Sequence, residues 1–150
     1  MDLFKKYIRP TKRVKEMAES GFKVGFQIRS HSELVSPLCR VDSNPIIDFI
    51  DSVNYPVFIA ADTQQLTERL MTNPKVFGFQ NPNKYKFAKE WDWSLAELIT
   101  LSRCDVVYLT GGSTYGEMAY LLSDKDIIVR DINEGIHPDE ENTIKKSTVI

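Results

Sequence analysis

Two glycines and two hydroxyl residues lie where an apolar run meets an amphipathic stretch, in the segment VVYLTGGSTYGEMA. Gly111 and Gly112 permit a positive φ and a close approach of a ligand to the backbone. Ser113 and Thr114 add hydroxyls beside the free amide groups of a helix start, a combination that favours a phosphate. Arg29 closes another apolar run, KVGFQIR, and its planar fork of donors would complete a diphosphate site.

Structural roles would also explain these polar residues. Three pairs have the spacing of a capping box or a related one: Thr114 with Glu117, Ser94 with Glu97, and Asp62 with Gln65. The two glycines would equally serve a tight turn, and a salt bridge would satisfy Arg29. The loop lacks the Gly-Lys-Ser/Thr ending of a Walker A motif and is not a GxGxxG sequence, so ATP hydrolysis and dinucleotide binding lose their usual support.

Short apolar runs alternate with helical patterns along the chain. The apolar runs lie at 23–29, 55–61, 75–79, 104–110 and 126–130. The helical patterns lie at 11–20, with Gly21 as the stop, and at 45–53, 63–71, 93–103 and 113–122. Continuous apolar runs are typical of strands buried on both faces, and the alternation implies βαβ crossovers. We therefore predict an α/β fold with a Rossmann-like, doubly wound parallel sheet over residues 1–132, followed by a loose polar tail at 133–150.

A parallel sheet binds its ligands at the carboxyl ends of its strands, where loops lead into helices. The first run ends in QIRS, the second in AADT and the fourth in LTGGST. Arg29, Asp62, Ser113 and Thr114 are therefore predicted to face one crevice.

Composition narrows the function classes. A chain of 150 residues that is 42% hydrophobic can bury one ordinary core, which predicts a single domain. The net charge of −2 and the pI near 5.7 argue against a nucleic-acid partner. Cys39 and Cys104 lack the spacing of a zinc site or a disulfide framework and are expected in the core. No run approaches the roughly 18 apolar residues of a membrane span, and the first residues lack a secretory signal, so a soluble and, by default, cytoplasmic chain is expected.

Four blocks in order resemble the signature of the GDP-fucose fucosyltransferases, particularly the plant xyloglucan type. The blocks are LFKKYIRPTKRV, VGFQIRS, VFIAADT and WSLAELITLSRCDVVYLTGGSTYGEMAYLL. In that type a Phe…Pro-Thr helix precedes a Gly-x-Gln-Ile-Arg strand, and a Leu-Ser-x-x-Asp helix precedes an apolar strand and a Ser-Thr-Phe-Gly turn. The resemblance implies the carboxyl-terminal, nucleotide-binding half of a GT-B fold.

The resemblance also implies roles for single residues. Arg29 would contact the β-phosphate and stabilise the charge that develops as GDP leaves the sugar, which makes it the catalytic residue. Asp62 would accept hydrogen bonds from N1–H and the 2-amino group of guanine. The full set of implied nucleotide-sugar-binding residues is Gln27, Arg29, Asp62, Thr63, Gly112, Ser113, Thr114 and Tyr115, the last in place of the family's phenylalanine.

The implied reaction is an inverting displacement in which a hydroxyl of a glycan or protein attacks the anomeric carbon of fucose. Related transferases commonly need no divalent metal, and the carboxylates near the turn are scattered, so no metal or cofactor is expected beside the GDP-fucose donor. His31 and Glu33 follow Arg29 and could approach the sugar, although a histidine in a polar loop is usually a surface residue.

A complete GT-B enzyme has two Rossmann-like halves, and the acceptor is bound mainly by the first. The chain would then be one half, with an amino-terminal acceptor-binding half as its partner, and the eukaryotic relatives point to the Golgi lumen. The alternative is a non-catalytic nucleotide-binding or regulatory α/β module. A receiver-type phosphate-binding domain is disfavoured because the first strand lacks an acidic cluster.

Overall fold

The computed structural model describes residues 9–29, 42–80, 91–111 and 114–137. The strands are β1 (Val24–Ile28), β2 (Val57–Ala61), β3 (Val76–Phe77), β4 (Val106–Leu109) and β5 (Ile128–Asp131). The helices are α1 (Lys12–Met17), α2 (Asn44–Ser52), α3 (Gln64–Leu70), α4 (Trp91–Ser102) and α5 (Thr114–Leu122), and a 3₁₀ turn covers Ile132–Glu134. Each predicted apolar run overlaps a strand and each predicted helical pattern overlaps a helix, with ends that differ by a few residues.

The five strands form one parallel sheet in the order β3-β2-β1-β4-β5. This arrangement confirms the predicted Rossmann-like, doubly wound sheet. From β1 the chain first builds outward through β2 to β3 and then returns to the other side of β1 with β4 and β5. The strand order therefore reverses between β1 and β4, and such a point opens a crevice at the carboxyl edge of the sheet.

Alternate residues of the buried strands feed two hydrophobic layers. On one face, Phe26 of β1 stacks on Tyr108 of β4 with ring centroids 5.0 Å apart, and Phe49 of α2 meets Phe26 edge-on at 5.4 Å. On the other face, Phe58 of β2 belongs to a cluster that includes Leu98 of α4. Helices α2 and α3 cover the first face, whereas α4 and α5 cover the second. Burial on both faces explains why β1, β2 and β4 are apolar without a two-residue alternation. The edge strand β5 differs from this expectation, because Ile128 and Val129 are exposed.

The predicted cap of α3 is wrong by one residue. Thr63 is the N-cap, because its Oγ1 accepts a hydrogen bond from the amide of Leu66 at 3.2 Å. Asp62 therefore precedes the cap and does not form a capping pair with Gln65. The hydroxyl of Thr63 is used within the helix end, where it satisfies an amide that has no partner in the helix ladder.

Two other helix ends also differ from the prediction. Helix α4 already begins at Trp91, so Ser94 lies inside the helix and does not cap it. Helix α1 ends at Met17, and Gly21, with φ +92°, lies in the turn before β1 rather than at the helix end. In α5, Thr114 is already a helical residue, with Glu117 in the first turn.

The chain continues to pack after β5. Ile132 is buried, Ile136 packs against the same core cluster, and the amide of His137 donates to the hydroxyl of Tyr108 at 3.3 Å. The packed structure thus continues past the predicted boundary at residue 132. The remainder of the predicted polar tail, 138–150, lies outside the described residues.

Cys104 is fully buried beside the start of β4, and its Sγ donates to the carbonyl of Thr100 at 3.5 Å. This placement confirms the predicted core role of Cys104, and burial raises the pKa of its thiol to about 12. Cys39 lies outside the described residues. Within the described ranges, the helices are too short or too polar to cross a membrane.

Candidate functional site at the carboxyl edge of the sheet

The carboxyl ends of β1 and β2 lie side by side. Ile28 is paired with Ala61 in the β1–β2 register, and the amide of Asp62 donates to the carbonyl of Ile28 at 3.1 Å. Arg29 and Asp62 therefore leave the sheet as neighbours, one residue beyond a paired position. A cation and an anion that are 33 positions apart in the printed sequence come together through strand pairing alone.

Thr110 fixes Arg29 from the other side. Thr110 follows β4 directly and is 1% exposed. Its Oγ1 accepts a hydrogen bond from the amide of Arg29 at 2.9 Å and donates to the carbonyl of Gln27 at 3.0 Å. The backbone at Arg29 is therefore held at the point where the strand order reverses.

Gln27 is an internal link between the same two strands. Its side chain is 4% exposed, and its Oε1 accepts a hydrogen bond from the amide of Thr110 at 3.2 Å. That amide also donates to the backbone carbonyl of Gln27 at 3.1 Å. The Oε1 atom of Gln27 thus joins β1 to β4, and the nucleotide contact that the resemblance implies for Gln27 stays a prediction.

Exposure differs among the polar residues at this edge. Arg29 and Thr63 are half-buried, whereas Asp62 is exposed. A half-buried guanidinium keeps part of its hydration while its backbone is fixed, so the unfavourable free energy of fully burying a charge does not arise. Arg29 is therefore partly accessible to solvent, and a guanidinium in that environment can bind an anion.

Gly111 follows Thr110 in the turn that leads to α5. Gly111 does not use the positive φ that glycine permits, because among the described glycines only Gly21 and Gly135 have one. A Cβ at position 111 would instead lie 2.5 Å from Oδ2 of Asp131, so the close approach of this carboxylate requires glycine. Gly112 and Ser113 lie outside the described residues.

Helix α5 begins at Thr114, with Tyr115 as its second residue. Gly116 allows the first turn of the helix to pack closely on the end of β4, because a Cβ there would overlap the side chain of Leu109. The amide groups of a first helical turn have no partner inside the helix and carry a partial positive charge. In α5 these amides begin at Thr114, four residues after Thr110.

Other polar clusters lie away from this edge. Asp124 and Asp126 form an Asp-x-Asp sequence, but it precedes β5 at the amino edge of the sheet. A cavity of about 590 Å³ lies between α1, α4 and the turn before β5, where Lys15, Arg103 and Lys125 line it. Within the described ranges, no three His, Cys, Asp or Glu side chains come together as a metal site would require. His31 and Glu33 lie outside those ranges.

Comparison with solved structures supports this architecture. The structure of POFUT1 in complex with GDP-fucose matches 85% of this chain with a TM-score of 0.57 and 13% sequence identity. The structure of NodZ alpha-1,6-fucosyltransferase soaked with GDP-fucose matches 81% of it with a TM-score of 0.54 and 20% identity. The fold is fucosyltransferase-like.

The chain spans about half the length of these structures, 49% of POFUT1 and 46% of NodZ. No protein-family model matches the sequence. No curated protein matches it either. The likeness therefore lies in the arrangement of strands and helices, that is, in one Rossmann-like half of a GT-B fold.

Sequence reasoning missed two residues at this edge, Thr110 and Asp131. Thr110 carried a weak signal, since it is the polar residue that ends the apolar run VVYLT. Asp131 carried none, because its relation to Gly111 depends on the pairing of β4 with β5.

Proposed function

We propose that this chain is the donor-binding half of a glycosyltransferase that uses GDP-fucose. The observation that supports the proposal most is the placement of Arg29, fixed between the ends of β2 and β4 where the strand order reverses. Of the two fucosyltransferase structures that share this fold, that of POFUT1 is in complex with GDP-fucose and that of NodZ was soaked with GDP-fucose.

Arg29 would act by electrostatic stabilisation. In an inverting displacement, the oxygen of an acceptor hydroxyl forms a bond to the anomeric carbon while the bond from that carbon to the β-phosphate oxygen breaks. The electron pair of the broken bond stays on GDP, and the hydroxyl proton passes to a base or to water. A guanidinium beside the β-phosphate stabilises the charge that develops on the leaving group.

The turn after β4 and the start of α5 would hold the diphosphate together with Arg29. Gly112, Ser113, Thr114 and Tyr115 would contribute backbone amides and hydroxyls there. With this positive charge supplied by the protein, the transfer would proceed without a divalent metal.

Asp62 would select the base. Guanine presents N1–H and its 2-amino group as an adjacent pair of donors, and a carboxylate can accept both. Adenine and uracil lack that donor pair. Asp62 is exposed beside Arg29, so a nucleotide whose diphosphate contacts Arg29 could reach it with its base.

The acceptor would be a hydroxyl of a glycan or a protein, bound mainly by the other half of the GT-B fold. The resemblance of the four blocks to the plant xyloglucan type stays a prediction about the finer subfamily. Because the chain spans about half of the compared structures, the alternative is a nucleotide-binding module without catalysis. Transfer of fucose to an acceptor by the chain or its complex would distinguish the enzyme from the module.

Calorimetric titration with GDP, ADP and UDP in the absence of magnesium tests the donor site. We expect binding of GDP and much weaker binding of ADP and UDP. Arg29→Ala should weaken GDP binding on the order of 100-fold, because a charge-assisted contact to the phosphate is lost. Arg69→Ala, which removes an exposed arginine from α3, is the matched control and should leave the affinity unchanged. Equal or absent heats for all three nucleotides would rule out the donor-site assignment.

A further inference from the structure

The carboxylate of Asp131 fills the space beside Gly111. Asp131 is the last residue of β5 and is paired with Leu109 in the β4–β5 register. A Cβ built on Gly111 would lie 2.5 Å from Oδ2 of Asp131, 3.2 Å from its Cγ and 3.3 Å from its Oδ1. The whole carboxylate therefore lies against the backbone of the turn that leads from β4 to α5.

This carboxylate is held in place by the 3₁₀ turn that follows β5. Oδ1 of Asp131 accepts a hydrogen bond from the amide of Asn133 at 2.9 Å, which caps the turn. Ile132 is buried in the core, and the amide of Gly135 closes the turn on the carbonyl of Ile132 at 3.2 Å. Because Oδ1 is held by the cap, a shift of the carboxylate away from Gly111 would strain this hydrogen bond.

The same segment contacts β4 at a second place. The amide of His137 donates to the hydroxyl of Tyr108 at 3.3 Å, and the ring of Tyr108 stacks on Phe26 of β1. Residues of the segment from Asp131 to His137 thus lie close both to Tyr108 of β4 and to Gly111, which follows this strand.

We propose that Asp131 is a positioning residue for GDP binding, which acts by fixing the backbone at Gly111, where the chain leaves β4. The inference rests on the proposed function and adds a residue that touches the turn rather than the nucleotide. A carboxylate beside an anion site repels the anion, so Asp131 would have to act through its position, by fixing the backbone at Gly111.

A double-mutant cycle on the full chain tests this role, with GDP titration and thermal unfolding as readouts. Gly111→Ala should weaken GDP binding about tenfold in the wild-type background, because its Cβ displaces the carboxylate and the turn. In an Asp131→Ala background the Cβ has room, so the same change should weaken binding by less than about twofold. Asp131→Ala alone should weaken binding several-fold, whereas Asp131→Asn keeps the shape and the cap acceptor and should bind GDP like the wild type.

Asp124→Ala, at the amino edge of the sheet, is the matched control and should not change GDP affinity. Equal effects of Gly111→Ala in both backgrounds, on affinity and on Tm, would overturn the positioning role alone. Tighter GDP binding by Asp131→Asn would also overturn it, since the charge rather than the position would then dominate. A wild-type chain that binds no GDP would overturn the proposed function, and the role of Asp131 toward GDP with it.

Discussion

The two edges of the sheet use their charged residues in different ways. At the amino edge, Nζ of Lys75 donates to the carbonyls of Ile50 and Val53, each at 2.6 Å, and so caps the end of α2. Lys23, before β1, is 7% exposed and lies over the ring of Tyr55 at 5.0 Å. The cations of this edge thus stabilise the protein's own backbone and aromatic groups.

At the carboxyl edge the side-chain contacts that join β1 to β4 are made by uncharged residues. Gln27 and Thr110 join β1 to β4, and both are buried. Arg29 and Asp62 are placed by backbone hydrogen bonds and reach the surface. The two edges thus differ in how they use their cations: those at the amino edge contact the protein's own groups, whereas Arg29, the residue proposed to contact the diphosphate, lies beside a link between β1 and β4 that is made by neutral side chains.

Thr110→Val should have the largest effect among the substitutions that compare the two edges of the sheet. Valine keeps the shape but leaves the amide of Arg29 and the carbonyl of Gln27 without the hydroxyl between them. We expect a loss of about 1–3 kcal/mol in the free energy of unfolding, together with roughly tenfold weaker GDP binding. Chemical denaturation and calorimetry measure the two effects. Thr110→Ser keeps the hydroxyl and should recover most of both, and a valine variant with wild-type affinity would contradict the role of this link.

Lys75→Met should have a smaller effect that is confined to stability. The change removes two hydrogen bonds to the last carbonyls of α2 but keeps the apolar stem, so a loss of about 1–2 kcal/mol is expected. GDP affinity should stay unchanged. Lys12→Met, whose lysine side chain is 91% exposed on α1, is the control and should be neutral in both measurements. A clear loss of GDP affinity in Lys75→Met would show that the two edges are not independent.

Burial of the Cys104 thiol should have the smallest effect of these features on stability at neutral pH. Burial raises the pKa of its thiol from 9.0 to about 12, so the neutral thiol predominates in the folded chain at pH 8. In a Cys39→Ser variant, a thiol reagent should therefore modify Cys104 only as fast as the chain unfolds.

The same pKa shift predicts that the free energy of unfolding decreases as the pH rises. The folded-state pKa lies above the unfolded one, so the contribution of the neutral thiol is full below about pH 9 and is lost as the pH rises toward about 12. Denaturation curves of the Cys39→Ser variant and of a Cys39→Ser, Cys104→Ala variant, compared across this range, measure the loss. Rapid modification of the native chain at pH 8 would contradict the burial of Cys104.

The sheet could be predicted from the sequence because its signals are local. Apolar runs without alternation indicate strands buried on both faces, and the helical patterns between them fix the parallel connections. The rule for carboxyl ends also placed Arg29 and Asp62 at one edge, where the register of Ile28 with Ala61 makes them neighbours. The roles of these two residues toward a nucleotide stay predictions.

The helix cap, the reason for a glycine at position 111 and the contact of Gln27 depended on contacts that residue spacing does not encode. Thr63 rather than Asp62 caps α3. Both residue types are good caps, so the sequence does not distinguish them, and the backbone angles of the folded chain decide which one caps the helix. The reason for glycine at position 111 is a carboxylate from β5, which is apparent only once β4 and β5 are paired. Gln27, expected near the nucleotide, turns its oxygen to Thr110 for the same long-range reason.

The hydrogen bond between Gln27 and Thr110 joins residues 83 positions apart. A polypeptide that stopped before β4 would therefore contain Arg29 but would lack its anchor. If GDP binds here, it binds only the completed fold, and mass action then raises the free energy of unfolding with ligand concentration. Added GDP should therefore protect the chain from a protease only after β4 has been synthesised and has paired with β1.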